Sequence, residues 1–414
     1  MSPNSAPEDR DHKKLGKELG LFTFSDTVGK GLPLFTEKGA AIRRELERFI
    51  IDEEIKRGYS HVHTPDIAKL DLYIKSGHYP YYKDSQYAPI EIDDEKFLLR
   101  PMTCPHHFEL YLSRPHSYRE LPIRMAELAG LYRYEQSGEL MGLQRVRTFC
   151  LADAHIFCKD EEQAIDEIEN ALDLIEYVSK VFGIEMGKDY WYRLSLGDKE
   201  NKEKYFDNPS AWKKSEDLMR KLMKKRGSEF IEAKDEAAFY GPKIDIQMRN
   251  ANGKEDTAFT VQYDFCMPER FNLTYTAEDG KQKPVFVVHR SSLGAIERLM
   301  AFLIEHYAGA FPLWLSPVQV KVLPIGEAHQ RFAKEIHSSL IEAGIRAEVD
   351  DSNETLGKKI RDAKMQKVPY FLVIGDNEIK GKKVTVESRD SGKIGEMSIE
   401  EFTQKSLEEI KNKS

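Results

Sequence analysis

Apolar residues recur along this chain with two periods, and the switch between them divides it in two. Ile42, Leu46, Phe49 and Ile50 fall at helical spacing, predicting a helix over Lys38–Arg57 that Gly58 stops. A strand is expected over Ser60–Thr64, running into Pro65, and a shorter one over Phe97–Arg100, broken by Pro101. Gly130–Tyr134 and Leu143–Phe149 read as hairpin strands around a glycine-containing loop, Gln136–Gly142. The clearest helix is Glu161–Phe182, where Ile165, Ile168, Leu172, Ile175, Val178 and Phe182 share one face. Strands are predicted at Ile244–Met248, Ala258–Tyr263 and Val285–His289, and a helix at Gly294–Tyr307. Hairpin strands with occasional helices point to an antiparallel sheet in an α+β domain.

Phe311-Pro-Leu-Trp-Leu-Ser-Pro317 marks a boundary. Beyond it strand and helix alternate: Val318–Leu323, Ala328–Ala343, Arg346–Val349, Leu356–Gln366 and Tyr370–Ile374. That rhythm predicts a separate α/β domain with a parallel or mixed sheet. The expected organisation is a disordered tail over 1–11, a larger domain over 12–312 and a smaller one over 317–414.

At 414 residues, 40% of them hydrophobic, the chain can bury more than one core. It has no run of 18 apolar residues, and the polar Met1–Asp11 lacks the apolar stretch of a secretory signal. Four scattered cysteines fit a reduced, cytoplasmic setting. The net charge of −8 argues against a protein that coats nucleic acid without specificity. A local patch of +5 lies between Lys358 and Lys383, with a solvated helix face as its plain alternative.

The chemistry concentrates in the hairpin. Arg133 and Glu135, two apart, would share a strand face, as would Arg145, Arg147 and Phe149 on the return. Guanidinium forks suit phosphate, an aromatic ring suits a base and a carboxylate suits an exocyclic amine. A cross-strand salt-bridge face is the competing reading. Cys104, His155 and His289 form a ligand set of the kind found in catalytic zinc sites. On spacing alone, His106, His107 and Cys158 are equal candidates.

Together these segments resemble a known family. Tyr132-Arg-Tyr-Glu-Gln-Ser-Gly with Gln144-Arg-Val-Arg-Thr-Phe149 resembles motif 2 of class II aminoacyl-tRNA synthetases. Gly294-Ala-Ile-Glu-Arg298 resembles their motif 3, and the helix from Lys38 leading to Thr64-Pro65 their motif 1. Asp11-His-Lys-Lys-Leu-Gly-Lys, Arg100-Pro-Met-Thr-Cys-Pro-His, Asp153-Ala-His-Ile-Phe-Cys, Phe239-Tyr-Gly-Pro-Lys-Ile-Asp and Phe311-Pro-Leu-Trp-Leu narrow the resemblance to the threonyl-tRNA synthetase family.

The resemblance implies a class II catalytic domain with an antiparallel sheet, followed by an α/β anticodon-binding domain. It implies ATP-dependent ligation of threonine to tRNA(Thr) through a threonyl-adenylate, in a cytoplasmic homodimer. Cys104, His155 and His289 match the ligands of a zinc ion that selects threonine, and Mg²⁺ accompanies ATP. Asp153 and Tyr240 match contacts to the threonine hydroxyl and amine. Arg133 matches the group that grips carboxylate and α-phosphate; Glu135 and Phe149 match adenine contacts. Arg145 and Arg298 match groups on the outer phosphates, and Lys243 and Gln262 further polar groups of the site. His78 matches the proton acceptor in transfer to tRNA, and Arg361 and Arg389 are anticodon-contact candidates. The match begins at about Asp11, which implies that the editing region preceding the catalytic domain in full-length members is missing. Leu151, Ala152 and Thr257 depart from the family, which often has Gln, Asp and Gln there. A prolyl-type class II synthetase and a non-catalytic synthetase-like tRNA-binding regulator are the alternative readings.

Overall fold

Two β-sheets with separate cores carry the architecture in the computed structural model, which describes residues 9–413 apart from 199 and 252. Of the expected tail, residues 1–8 lie outside the described residues. Asp11 is ordered: its side chain accepts the Lys13 amide at 2.7 Å and caps a helix over His12–Glu18.

The larger sheet has eight strands: β1 (Ser60–His61), β2 (Ile123–Tyr132), β3 (Thr148–Cys158), β4 (Tyr190–Leu196), β5 (Phe230–Lys234), β6 (Lys243–Arg249), β7 (Glu255–Asp264) and β8 (Phe286–Ala295). Their spatial order is β5-β4-β6-β7-β8-β3-β2-β1. The inner pairings are antiparallel, as expected, while β5 on β4 and β1 on β2 are parallel. The amphipathic helix predicted at Glu161–Phe182 spans Glu161–Val181, capped by Asp160, and buries Ile168, Leu172, Ile175 and Val178. The motif 1 helix runs over Glu37–Lys56.

Three expectations shift. The hairpin strands lie farther from their loop than the pattern predicts: they are β2 and β3, and residues 133–147 form a long connection. Arg133, Glu135, Arg145 and Arg147 therefore sit beyond the strands, not on a shared strand face. The Arg133 amide to Arg147 carbonyl bond, 3.0 Å, prolongs the ladder by one step, and an isolated antiparallel bridge joins Met141 to Arg145. The predicted helix from Gly294 starts at Ile296, because Gly294, at φ +63°, still belongs to β8, which ends at Ala295. Finally, β4, β5 and the helix Pro209–Lys225 escaped the apolar pattern, since that helix is dense in lysine.

The smaller sheet has β9 (Val320–Pro324), β10 (Ala347–Val349), β11 (Tyr370–Ile374), β12 (Val384–Ser388) and β13 (Gly392–Met397), in the order β10-β9-β11-β12-β13. The first three are parallel and the last two antiparallel, the mixed sheet that the strand–helix alternation predicts. Helices Gln330–Glu342 and Ile399–Asn412 bury Ile336, Leu340 and Phe402 in a core with Val322, Leu372 and Val386.

The chain divides into two compact units that do not follow chain order. One holds Phe24–Pro33 and Glu47–Ala301; the other holds the segments up to Thr23, Leu34–Leu46 and Phe302 onward. Inside the second unit the early segments are tied by specific bonds. His12 Nδ1 lies 2.6 Å from Glu305 Oε1, and Arg346 reaches Glu45 at 3.1 Å and the Trp314 carbonyl at 2.7 Å.

Candidate active site

Strand register builds the site. Lys243, Gln262, His289 and His155 are directly paired across β6, β7, β8 and β3, so their side chains leave the same face of the sheet in one row. Two residues along each strand comes a second row, Asp245, Thr260, Ser291, Asp153 and Glu127. Phe149 and Leu151 continue the same face of β3. Over this face opens a cavity of about 420 Å³.

At its floor Cys104, at the start of the helix Cys104–Leu112, meets His155 and His289. All three are buried, and one donor atom from each lies within 4.8 Å of the others. The His155 and His289 rings stand edge to face with centroids 4.6 Å apart, and Phe108 packs against both. His289 Nε2 is 2.8 Å from Asp264 Oδ2, whose other oxygen accepts the Cys266 and Met267 amides, each at 2.9 Å. That bond leaves His289 Nδ1 for the cavity. Burial, with the charges of His289 and His107 beside it, pushes the His155 pKa well below the usual range, keeping the imidazole neutral. Burial together with Asp153 and Asp264 drives the Cys104 thiol upward. Two imidazoles, each with one ring nitrogen free of the bonds behind it, and a sulfur that ionises only beside a compensating charge suit Zn²⁺ with a coordination position left open. His106 lies against the Tyr73 ring and His107 behind His155, so neither joins the set. Cys158 is buried in the interior of the fold, outside the cavity wall.

The substrate candidates surround this floor. Asp153 and Tyr240 line the cavity beside the cluster, and the Tyr240 ring stacks on His289 at 4.9 Å. Burial raises the Asp153 pKa, against the pull of His107 and His289. The Tyr240 hydroxyl donates to Gln262 Oε1. Lys243 Nζ lies 3.0 Å from Asp245 Oδ2, which also receives Arg193 at 2.9 Å and Ser195 at 2.7 Å. Arg133, Glu135, Arg145, Phe149 and Arg298 also line the cavity. The Arg133 guanidinium sits 5.1 Å from the Phe149 ring centroid. Arg298 donates to the Gln144 and Thr257 carbonyls at 3.1 and 2.7 Å, which aims it inward. Glu297 instead turns into the fold and accepts the Cys150 amide at 2.9 Å.

Some residues stand elsewhere than expected. Arg147 stacks on Tyr134 at 4.3 Å and donates to the Glu135 carbonyl at 3.0 Å, so it braces the loop from outside the cavity wall. His78 is fully buried: its Nε2 lies 3.6 Å from Cys104 Sγ, its Nδ1 2.8 Å from Ser76 Oγ, and it does not reach the cavity wall. Ala152 points into the core, while Leu151 and Thr257 do line the cavity. Sequence reasoning missed Asp264, Glu127 and Asp245. Glu127 and Asp245 are acids inside apolar strands and Asp264 is the acid that ends one, and that is the signal that could have found them.

The chain that carries this site matches proteins of known type. Residues 87–307 match the model of the tRNA synthetase class II core domain (G, H, P, S and T), and residues 319–409 match that of the anticodon binding domain. The chain belongs to the threonyl-tRNA synthetase family of the class II synthetases. It is 50% identical over 407 residues to the threonine–tRNA ligase of Geobacillus kaustophilus, covering 98% of this chain and 62% of that protein. Threonine–tRNA ligase 1 of Bacillus subtilis is 49% identical over 405 residues, again 98% of this chain and 62% of the relative. The chain thus spans a little under two thirds of the curated relatives it matches. A structure described as the RNA binding domain of threonyl-tRNA synthetase from Cryptosporidium parvum superposes with a TM-score of 0.90 at 35% identity, covering 96% of this chain and 98% of that one. A putative threonyl-tRNA synthetase from Aeropyrum pernix gives 0.84 at 28%, with 97% and 96% covered.

Proposed function

We propose that this chain activates threonine with ATP and transfers it to tRNA(Thr). The observation that carries the reading is the convergence of Cys104, His155 and His289 beside Asp153 and Tyr240, in the same cavity as Arg133 and Arg298.

In the first step the threonine carboxylate attacks the α-phosphorus, an adenylate forms and pyrophosphate leaves. Negative charge builds on the α-phosphate, and Arg133 is placed to hold carboxylate and phosphate together. Arg145 and Arg298 hold the outer phosphates, and Mg²⁺ enters with ATP as part of the nucleotide substrate. Phe149 stacks the adenine and Glu135 accepts from its amine. Positioning supplies most of the acceleration, because the protein forms no bond to the substrate.

Cys104, His155 and His289 would hold zinc, which supplies a Lewis-acidic position for the amine and hydroxyl of threonine. Asp153 accepts a hydrogen bond from that hydroxyl, and Tyr240 faces the amine. A site that pairs a hydroxyl rejects valine strongly. Serine keeps the hydroxyl and loses one methyl group, worth about 1–3 kcal/mol, so its discrimination is weak. The proton-acceptor role in transfer is not assigned to His78, which supports Cys104 from behind.

The catalytic region is taken as 12–312 and the anticodon-binding region as 317–414, with Arg361 exposed for RNA. Exposed Ile67, Ile90 and Ile92 on the three-stranded sheet of the catalytic unit support a two-fold homodimer. Four buried free cysteines support a cytoplasmic setting, and among the described residues no helix is long and apolar enough to cross a membrane.

Threonine-dependent ATP–pyrophosphate exchange tests the reading. Exchange with threonine, abolished by Cys104→Ser, supports it; exchange with proline, or with no amino acid, overturns it.

A further inference from the structure

A chain of buried groups runs behind His155, away from the cavity. His155 Nδ1 and His107 Nδ1 are 2.8 Å apart, and His107 Nε2 lies 3.1 Å from Glu127 Oε2. Two ring nitrogens that face each other must be one donor and one acceptor. Glu127 decides which. Its Oε1 accepts from the Thr64 amide at 3.1 Å and from Arg100 Nη1 at 3.1 Å. Its Oε2 accepts from the Thr64 hydroxyl at 2.8 Å. That hydroxyl cannot point the other way, because its own oxygen accepts from Arg100 Nη1 at 2.7 Å. Glu127 is thus an acceptor at every position, so His107 donates to it from Nε2. With its single ring proton committed to Glu127, His107 presents a bare Nδ1 to His155, and His155 donates from Nδ1. The lone pair of His155 is left on Nε2, the nitrogen nearer Asp153. Glu127, His107 and Arg100 are 2%, 0% and 1% exposed, so water does not compete for these bonds.

We propose that Glu127, acting through His107, is a positioning residue that fixes the tautomer of His155 and so prepares its Nε2 to bind a metal ion. The inference rests on the zinc reading above and adds residues that touch neither substrate nor metal. His289 receives the same service directly from Asp264, without a relay. Arg100, held also by the Gly130 carbonyl at 2.7 Å, locks Glu127 as an acceptor. Partners behind ligating histidines commonly change metal affinity by about 10–100-fold when removed.

The test uses the full chain and Zn²⁺ alone, titrated in competition with a chromophoric chelator. The parent is expected to bind one equivalent, and Cys104→Ser to bind none; if the parent binds none, the zinc reading fails and this proposal falls with it. Glu127→Gln can turn an amide N–H toward His107 and is expected to bind zinc about 10–100-fold more weakly. His107→Phe keeps a ring in place, removes both hydrogen bonds and is expected to lose affinity to the same extent. Folded variants that bind within about threefold of the parent overturn the proposal. A second reading needs no variant. Nitrogen NMR of the zinc-free parent labelled at histidine should show His155 protonated on Nδ1, and a proton on Nε2 instead overturns the relay even if both variants misfold.

Discussion

The guanidinium of Arg133 lies 5.1 Å from the centre of the Phe149 ring, one at the start of the long hairpin loop and the other on the returning strand. Burial and the nearby Arg298 both press the Arg133 pKa downward, so two cations converge on one cavity with little water to separate them. Such a site favours an anion that bridges them. Arg133→Ala is expected to cut threonine-dependent pyrophosphate exchange by about 100–1,000-fold with cooperative unfolding retained. Exchange within tenfold of the parent would remove Arg133 from the reaction.

Gly294, next to the last residue of β8, has φ +63°, and a Cβ built there would lie 2.1 Å from the Ala258 carbonyl oxygen. Both the left-handed backbone and the close approach exclude a side chain. Gly294→Ala is expected to cost more than about 1 kcal/mol and to lower the melting temperature, because β8 and β7 would have to separate where Arg298 is aimed. A melting temperature equal to the parent's would contradict this account.

Glu54 and Arg290 form a buried pair at 2.6 Å, with Ser292 donating to the same oxygen of Glu54 at 2.9 Å and the Tyr59 ring 4.1 Å from the guanidinium. Glu54→Gln leaves the Arg290 charge buried without its counter-charge. A loss of about 3–5 kcal/mol in unfolding free energy is expected in urea titration. A loss below about 1 kcal/mol would mean that the pair is solvated in solution.

Acid should weaken the fold through Glu127. Burial works to raise its pKa, but hydrogen bonds from His107 and Thr64 and the charge of Arg100 outweigh it and hold the pKa at about 2, against an ordinary 4.5. The His63 ring is a further neighbour, its Nδ1 4.0 Å from Glu127 Oε1. A depressed carboxyl stabilises the fold above its unfolded pKa and loses that contribution as pH falls through 4.5 toward 2. The stability gap between parent and Glu127→Gln should therefore shrink by about 3 kcal/mol across that window. A gap that stays constant from pH 5 to pH 2 would count against it.

How far the chain spoke for itself differs by element. The helix over Glu161–Val181 was legible because its apolar residues sit on one face and Asp160 caps it. The hairpin was legible as a hairpin but not in its extent. Arg133 and Glu135 alternate as strand residues do, yet they lie in a loop bent by Gly142 at φ +51°. The donor set of Cys104, His155 and His289 has no spacing to read, since one comes from a helix and two from strands distant in sequence. Only their register across β3 and β8 joins the histidines, and resemblance supplied what periodicity could not. Glu127 was passed over because a lone acid among Ala126, Leu128 and Ala129 breaks an apolar strand without announcing its partners.

The two anticodon candidates separate by what already occupies them. Arg389 Nη1 donates to the Phe311 and Lys367 carbonyls at 3.1 and 2.7 Å, its remaining nitrogens meet Asp390, and its side chain is 12% exposed. A guanidinium so committed would have to break these bonds to reach RNA. Arg361 is exposed on the helix Leu356–Met365, near Lys358 and Lys364. Arg361→Ala is expected to weaken tRNA binding and to lower the slope of log affinity against log salt by about one, with the melting temperature unchanged. Arg389→Ala should instead cost about 1–3 kcal/mol of stability by stranding carbonyls, while the salt slope measured on the folded fraction stays the same. The reverse pattern, a flat melting temperature with a reduced slope for Arg389→Ala, would make Arg389 the phosphate contact and Arg361 a solvated bystander.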